Sequence, residues 1–325
     1  MVASSPRSHL SSSPHGSGYS SDDGGSVTTS VSSSVRDYVF ENGRRYHSYC
    51  EGRYVFPNDD AEQDREDMKH AMTVAVCGDK LHFAPIGESP GRILDLGTGT
   101  GIWCVDMGDM YPSAEVIGVD LSPIQPTFVP PNVRFMVDDI ESDWLYGSPF
   151  DFIHLRAMAP AIRNWPRVLA SAYDWLKPGA YIELQEIDFF PQSDDGTMPP
   201  DWPFKQYTDA VRDGLAAFGS DYNVARSVAG KLREAGFANV VEHTIKLPLG
   251  GWAKHSLLRT AGLYMQAAVM DAFNMAVNGP LTKGLGWSRA EAEVFCADAR
   301  KALRNPRVHA YFTLHVVYGQ RPATP

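Results

Sequence analysis

From Gly91 onward, short apolar runs alternate with longer segments of helical spacing. The runs fall at Arg92–Leu96, Val116–Val119, Val133–Val137, Phe150–Leu155 and Ala180–Leu184, each the length of a strand buried on both faces. Between several of them, segments such as Asn164–Leu176 repeat apolar residues every three or four positions, the period of a helix. Strands that alternate with helices pair in parallel through right-handed crossovers, with helices on both faces. Lys177-Pro178-Gly179 predicts a turn that stops the helix before the fifth strand. The fold class is therefore α/β: a doubly wound, mostly parallel seven-stranded sheet, Rossmann-like, with helical insertions.

After Asp188 the regularity breaks. Residues 191–203 are rich in proline and aspartate and predict a loop. Helices are expected at Phe204–Phe218 and Val224–Ala235, a strand at Asn239–Leu247, and a long helical region at Lys254–Val277. A further helix spans Ser288–Leu303, with Ser288 as cap and Glu291 in the capping-box position. Val308–Tyr318 alternates as a last strand. Upstream, Asp59 or Asp60 caps a helix to Val76, with an apolar stripe of Met68, Ala71, Met72, Ala75 and Val76. The chain thus divides into a leader (1–35), an aromatic and helical cap (36–80) and a main domain (81–322). Within that domain, about 191–235 and 254–303 form a helical cover.

Composition changes the picture mainly at the N-terminus. Residues 1–34 contain 14 serines and few large apolar side chains, too little to offset the ordering entropy, which predicts disorder. The other residues are ordinary for a globular protein, the whole chain being 43% apolar and 21% charged. A net charge of −10 without a basic run argues against a direct nucleic-acid partner. Cys50, Cys77, Cys104 and Cys296 form no C-x-x-C pair, so no metal site is expected and the thiols suit a reducing compartment. No apolar stretch is long enough for a membrane span, and no signal segment is evident. The expectation is a cytoplasmic or nuclear protein.

The chemistry concentrates at Asp95-Leu-Gly97-Thr98-Gly99-Thr-Gly101. This is a strand end, a glycine turn and a helix start, where bare backbone and unpaired N–H groups can meet a ligand. Glycine turns of this kind also hold nicotinamide and flavin cofactors, but the spacing here is G-x-G-x-G rather than G-x-G-x-x-G. Asp95, two residues before the first glycine, would repel a pyrophosphate and suits the charged amino group of a methionine moiety. Asp120, 23 residues after Gly97, ends the next strand and can accept from both ribose hydroxyls. Leu121 follows it, and Asp138, Asp139 and Ile140 end the third strand, where adenine would lie. Three acids in order at the carboxyl ends of consecutive strands predict S-adenosyl-L-methionine as cofactor.

With these motifs in view, LDLGTGTGIW, VIGVDLSPIQP, PPNVRFMVDDIE, FDFIHLR, NWPRVL, LKPGAYIELQEID and HAYFTLHVVYGQRP resemble the fungal LaeA-like methyltransferases, a branch of the class I S-adenosylmethionine-dependent enzymes. ENGRRYHSY is similar to that family's N-terminal signature, and the resemblance covers roughly residues 37–322. It implies one of two roles. One is a tailoring enzyme that methylates a small molecule, most simply on oxygen. The other is a nuclear regulator of secondary metabolism that works through velvet-type protein partners. The GTGTG turn and the Leu285–Phe295 region look more like the tailoring members.

Methyl transfer to a hydroxyl needs a proton acceptor near the cleft. His154, near the end of the fourth strand, is one candidate, with a packed, hydrogen-bonded core histidine as the alternative. Glu186 is another, and Asp188 stands close by. Tyr46, His47, Tyr49 and Tyr54 are candidates for a substrate lid, or for a clamp on the sheet edge. Arg44 and Arg45 are candidates to meet the cofactor carboxylate or a substrate acid, with surface charges the favoured expectation. Met265, Met270, Phe273 and Met275 would suit an adaptable apolar pocket or simply core.

Overall fold

The computed structural model describes residues 38–41, 43–47 and 57–323; the serine-rich leader lies outside them. A hairpin of β1 (Tyr38–Glu41) and β2 (Arg44–His47) turns at Gly43, whose φ is +75°. It leads to helix α1 (Asp60–Val76), capped by Asp59, which accepts the Glu62 N–H at 3.1 Å. Asp59 also accepts from the Arg44 guanidinium at 2.8 Å, and Arg45 donates to the Asn58 carbonyl at 2.6 Å. The two arginines are therefore half-buried tethers between hairpin and helix, not surface charges.

The main sheet contains β3 (Arg92–Leu96), β4 (Glu115–Asp120), β5 (Val133–Val137), β6 (Phe150–Arg156), β7 (Leu176–Gln192), β8 (Ala238–Pro248) and β9 (Tyr311–Gln320). Its order is β5-β4-β3-β6-β7-β9-β8, seven strands in all, and only β9 runs antiparallel to its neighbours. Helices α2 (Ile102–Met110), α3 (Trp165–Trp175), α4 (Pro203–Ala216), α5 (Val228–Glu234), α6 (Ser256–Ala276) and α7 (Arg289–Leu303) complete it. Strand alternation explains the two layers. Ile93, Val116 and Phe152 pack with Trp103 and Met107 of α2. Their neighbours Leu94, Ile117 and Ile153 pack on the opposite face with Val168 and Leu169 of α3 and Leu232 of α5.

Three expectations change. Lys177-Pro178-Gly179 does not separate helix from strand: β7 already begins at Leu176, and the turn is an irregularity of β7 between the pairs Phe150–Leu176 and Phe152–Tyr181. The helix expected over Val224–Ala235 is broken at Ser227 into a 3-10 turn and α5. The long helix α6 runs on into a π-helical segment, Val277–Gly284, containing Pro280. The wider turn accommodates the missing N–H of Pro280, and the Thr282 hydroxyl donates to the Val277 carbonyl at 2.7 Å.

A third apolar cluster joins α4, α6 and α7 to Phe312, Leu314 and Val316 of β9. Here α4 crosses the π segment backbone to backbone. A Cβ on Gly214 would lie 2.3 Å from the Pro280 carbonyl oxygen, and one on Gly284 would lie 2.4 Å from the Gly214 carbonyl oxygen. Because the obstacle is backbone, it cannot rotate away. Gly214→Ala is expected to destabilise the protein by ~1–3 kcal/mol, seen as a lower urea midpoint. An unchanged midpoint would show that this crossing is looser than described.

Candidate active site

The glycine turn stands at the carboxyl end of β3, and its geometry explains the residue choice. Gly97, Gly99 and Gly101 have φ of +72°, +57° and +82°, a region that side chains disfavour. A Cβ on Gly97 would meet Met158 Sδ at 2.1 Å, and one on Gly101 would meet the Phe135 ring at 2.4 Å. Gly99 has open space above it instead. Gly97 and Thr98 donate their N–H groups to the Val119 carbonyl at 2.8 and 3.0 Å. Gly99 donates to Asp120 Oδ2 at 2.9 Å, and Ser122 donates to Oδ1 at 2.9 Å. Asp120 thus fastens the turn to the end of β4. Each oxygen accepts one N–H and has capacity for a second donor, and Asp120 lines the larger cavity.

Two adjoining cavities share Gly97, Gly99, Glu66, Lys69 and Arg156. The larger, about 220 Å³, is bounded on one side by Asp120, Leu121, Asp138, Asp139 and Ile140. On the other side it is bounded by Met265, Val269, Ala272 and Met275 of α6, with Tyr207, Tyr222 and Phe189. The smaller, about 60 Å³, is lined by polar groups: Asp95, Thr98, His154, Arg156, Gln185 and His70. The expected cofactor residues therefore gather at one place. Gly101 is the exception; it lines neither cavity and serves to seat α2 against Phe135.

Asp95 and His154 are direct register partners on β3 and β6. His154 Nδ1 lies 2.8 Å from Asp95 Oδ1, and its ring stacks on Trp103 at 3.9 Å. Burial pushes the Asp95 carboxyl up, but its bond to His154 and the nearby Arg156 charge hold it below the ordinary value. His154 is wholly buried in the small chamber. It does not line the larger cavity, and its Nδ1 is taken up by Asp95.

Glu186 is differently placed. Its carboxylate lines the large cavity and accepts N–H bonds from Met158 at 2.7 Å and Ala159 at 3.2 Å. Those donors are aimed by Ala157, a non-glycine residue at φ +56°, a strained backbone that occurs where surrounding structure enforces it. Burial pushes the Glu186 carboxyl up to about 7. Asp188 instead pairs with Arg226 at 2.7 Å. Among the described residues Tyr46 lines neither cavity; Tyr49, Tyr54 and the His47 side chain lie outside them.

Other lining residues were not singled out by sequence. On α1, Glu62, Glu66, Lys69 and Thr73 occur at helical spacing and face the cavities. This polar stripe is the signal that an apolar-stripe search passes over. Lys69 donates to Glu66 at 2.8 Å, and burial lowers its affinity for a proton.

Residues 68–242 match the family described as a methyltransferase domain. The chain is also 41% identical over 298 residues to methyltransferase pytC of Aspergillus terreus, covering 91% of this chain and 92% of that one. It belongs to this methyltransferase family. It is 35% identical over 301 residues to the secondary metabolism regulator laeA of Aspergillus flavus (90% and 80% covered). It is 34% identical over 291 residues to the protein-methionine methyltransferase laeA of Emericella nidulans (87% and 76% covered).

This methyltransferase is S-adenosylmethionine-dependent, and the cavity fits that cofactor. A bare glycine cradle, an acid on β4 and an apolar wall at Leu121 and Ile140 suit an adenosine. The paired acid at Asp95 excludes a pyrophosphate beside the turn. Asp120 is the residue that would hold the ribose hydroxyls. Burial pushes its carboxyl up to about 6, so the charged acceptor is lost as pH falls through that value. Cofactor affinity is expected to weaken about tenfold between pH 7.5 and 5, and Asp120→Ala to weaken it on the order of 30-fold at pH 7.5. Calorimetric titration at both pH values checks this; a pH-independent affinity would remove Asp120 from the ribose site.

Proposed function

We propose that this methyltransferase acts on a hydroxyl oxygen of a small, largely apolar secondary metabolite, with Glu186 as the proton acceptor. The observation that carries this reading is Glu186, held by two backbone N–H donors, in the wall of the cavity that Met265, Val269, Ala272 and Met275 of α6 also line. When bound, S-adenosylmethionine supplies an electrophilic methyl group on a sulfonium. The apolar wall excludes water and fits a hydrophobic acceptor, while methionine side chains adapt to its shape. Asp120 and the glycine turn would hold the donor, and Glu186 is placed to take the proton that the acceptor hydroxyl would give up on methylation. Two backbone N–H bonds fix the carboxylate for this transfer, and positioning supplies much of the acceleration.

The proton-free form of Glu186 is the active one, so kcat/KM should rise with pH through about 7. Glu186→Gln should lower kcat by ~10²–10⁴ with little change in cofactor affinity. A variant that keeps wild-type kcat and the same pH profile would assign the base elsewhere.

The similarity to secondary metabolism regulators supports a second reading, in which a nuclear protein acts with a velvet-type partner. On the first reading the protein is a cytoplasmic enzyme with a small-molecule partner and no direct contact with nucleic acid or membrane. Among the described residues no helix is long and apolar enough to cross a membrane. Deletion separates the two. Accumulation of one unmethylated intermediate, converted in vitro by the purified protein, supports the enzyme; loss of many unrelated metabolites supports the regulator.

A further inference from the structure

The larger cavity has a polar end that the proton acceptor alone does not explain. Tyr207 and Tyr222 both line it, and among the described residues neither hydroxyl has a hydrogen-bond partner. Neither is one of the partnerless atoms sealed away from all free space, so each oxygen opens on the cavity that its residue lines. The two phenol ends also lie close to the charges of the site. The Tyr222 hydroxyl is within electrostatic reach of the Glu186 carboxylate and the Arg65 guanidinium. The Tyr207 hydroxyl is within reach of Tyr222 and Arg65.

Sequence and packing fix both rings. Phe204, Tyr207, Val211 and Leu215 recur at helical spacing on the buried face of α4. The Tyr207 ring is held 4.3 Å from Phe273 of α6 and 5.6 Å from Phe204, centroid to centroid. Tyr222 follows α4 in a loop that Ser220 ties down, its hydroxyl donating to the Pro160 carbonyl at 2.8 Å. The Tyr222 ring stacks on Phe189 at 5.0 Å, with the planes 7° apart. Phe189 follows Glu186 on β7, and Pro160 follows the Met158 and Ala159 amides that hold Glu186. Tyr222 and the proton acceptor are thus set by the same two segments. Burial raises both phenols above their ordinary range, so they stay protonated and can donate.

We propose that the acceptor carries a second oxygen beside the hydroxyl that is methylated, and that Tyr222 and Tyr207 donate to it. The proposal rests on O-methylation of a small molecule with Glu186 as proton acceptor. A molecule that fills this cavity displaces water from both phenols. An acceptor with one oxygen satisfies Glu186 but strands two buried hydroxyls, which costs free energy. An acceptor with two neighbouring oxygens satisfies all three groups. Sites that hydrogen-bond a substrate oxygen reject the analogue lacking it far better than apolar pockets reject a missing methylene. The acceptor class is therefore a largely apolar skeleton with one edge that bears two neighbouring oxygens.

Methyl transfer from S-adenosylmethionine by the full chain, followed with 2,3-dihydroxynaphthalene and with 2-naphthol, tests this. The diol offers the second oxygen and the naphthol lacks it. The wild type is expected to prefer the diol in kcat/KM on the order of 30-fold, well beyond the roughly twofold due to two equivalent hydroxyls. That preference should shrink several-fold in Tyr222→Phe. It should fall below about threefold when Tyr207→Phe is added, with S-adenosylhomocysteine affinity kept within about threefold of wild type. A double variant that folds and keeps the full preference overturns the proposal. If the double variant does not fold, a clear wild-type preference supports the proposal. Equal wild-type rates overturn it and leave O-methylation standing. A wild type inactive on the diol also overturns the proposal, and methylation of 2-naphthalenethiol instead overturns the O-methylation reading with it.

Discussion

Gly97, Gly99 and Gly101 at the end of β3 are glycines because all three have left-handed φ and two of them have a neighbour where a Cβ would stand. Met158 closes against Gly97 and the Phe135 ring against Gly101, while Gly99 alone faces open space. The other features of the site are arranged around this turn. Its amides reach Val119 and Asp120, which fixes the end of β4, and Met158 brings the loop after β6 within reach of Glu186. A side chain at Gly97 would displace Met158, and with it one of the two donors that hold the proposed proton acceptor. The glycine turn and the Glu186 wall of the larger cavity are thus mechanically one object.

Two buried acids on this object are pushed in opposite directions. Burial raises both, but Asp95 has His154 and the Arg156 charge beside it and stays below its ordinary value. Glu186 has only two neutral N–H donors close by and a more distant Lys69, and rises to about 7. Environments that separate two carboxyl groups in this way assign them different tasks. Asp95 is held below its ordinary value beside His154, while burial prevails at Glu186. The cost of burying such groups is accepted where binding or chemistry uses them.

Much of the frame was legible because it rests on local rules. Strand runs, the glycine turn, Asp120 and the capping box at Ser288–Glu291 are short-range patterns, and the structure keeps them. What depends on partners far along the chain was not. His154 in isolation carries no sign of its register with Asp95 or its stacking on Trp103. Gln185 and Arg156 become a pair only when β6 meets β7. The apolar stripe of α1 says nothing of its polar face, where Glu62, Glu66 and Lys69 line the cavities. The β7 start at Leu176 followed from a register shift that no local turn rule anticipates.

The central claim is that one continuous cavity holds the methyl donor at the glycine turn and opens toward Glu186 under the α6 cover. A crystal structure of the full chain with S-adenosylhomocysteine tests it most directly. The account predicts ribose hydroxyls on Asp120, adenine between Leu121 and Ile140, and the sulfur directed into the chamber bounded by Glu186, Val269 and Met275. A ligand whose sulfur points away from that chamber, or whose adenosine leaves Asp120 uncontacted, would contradict it.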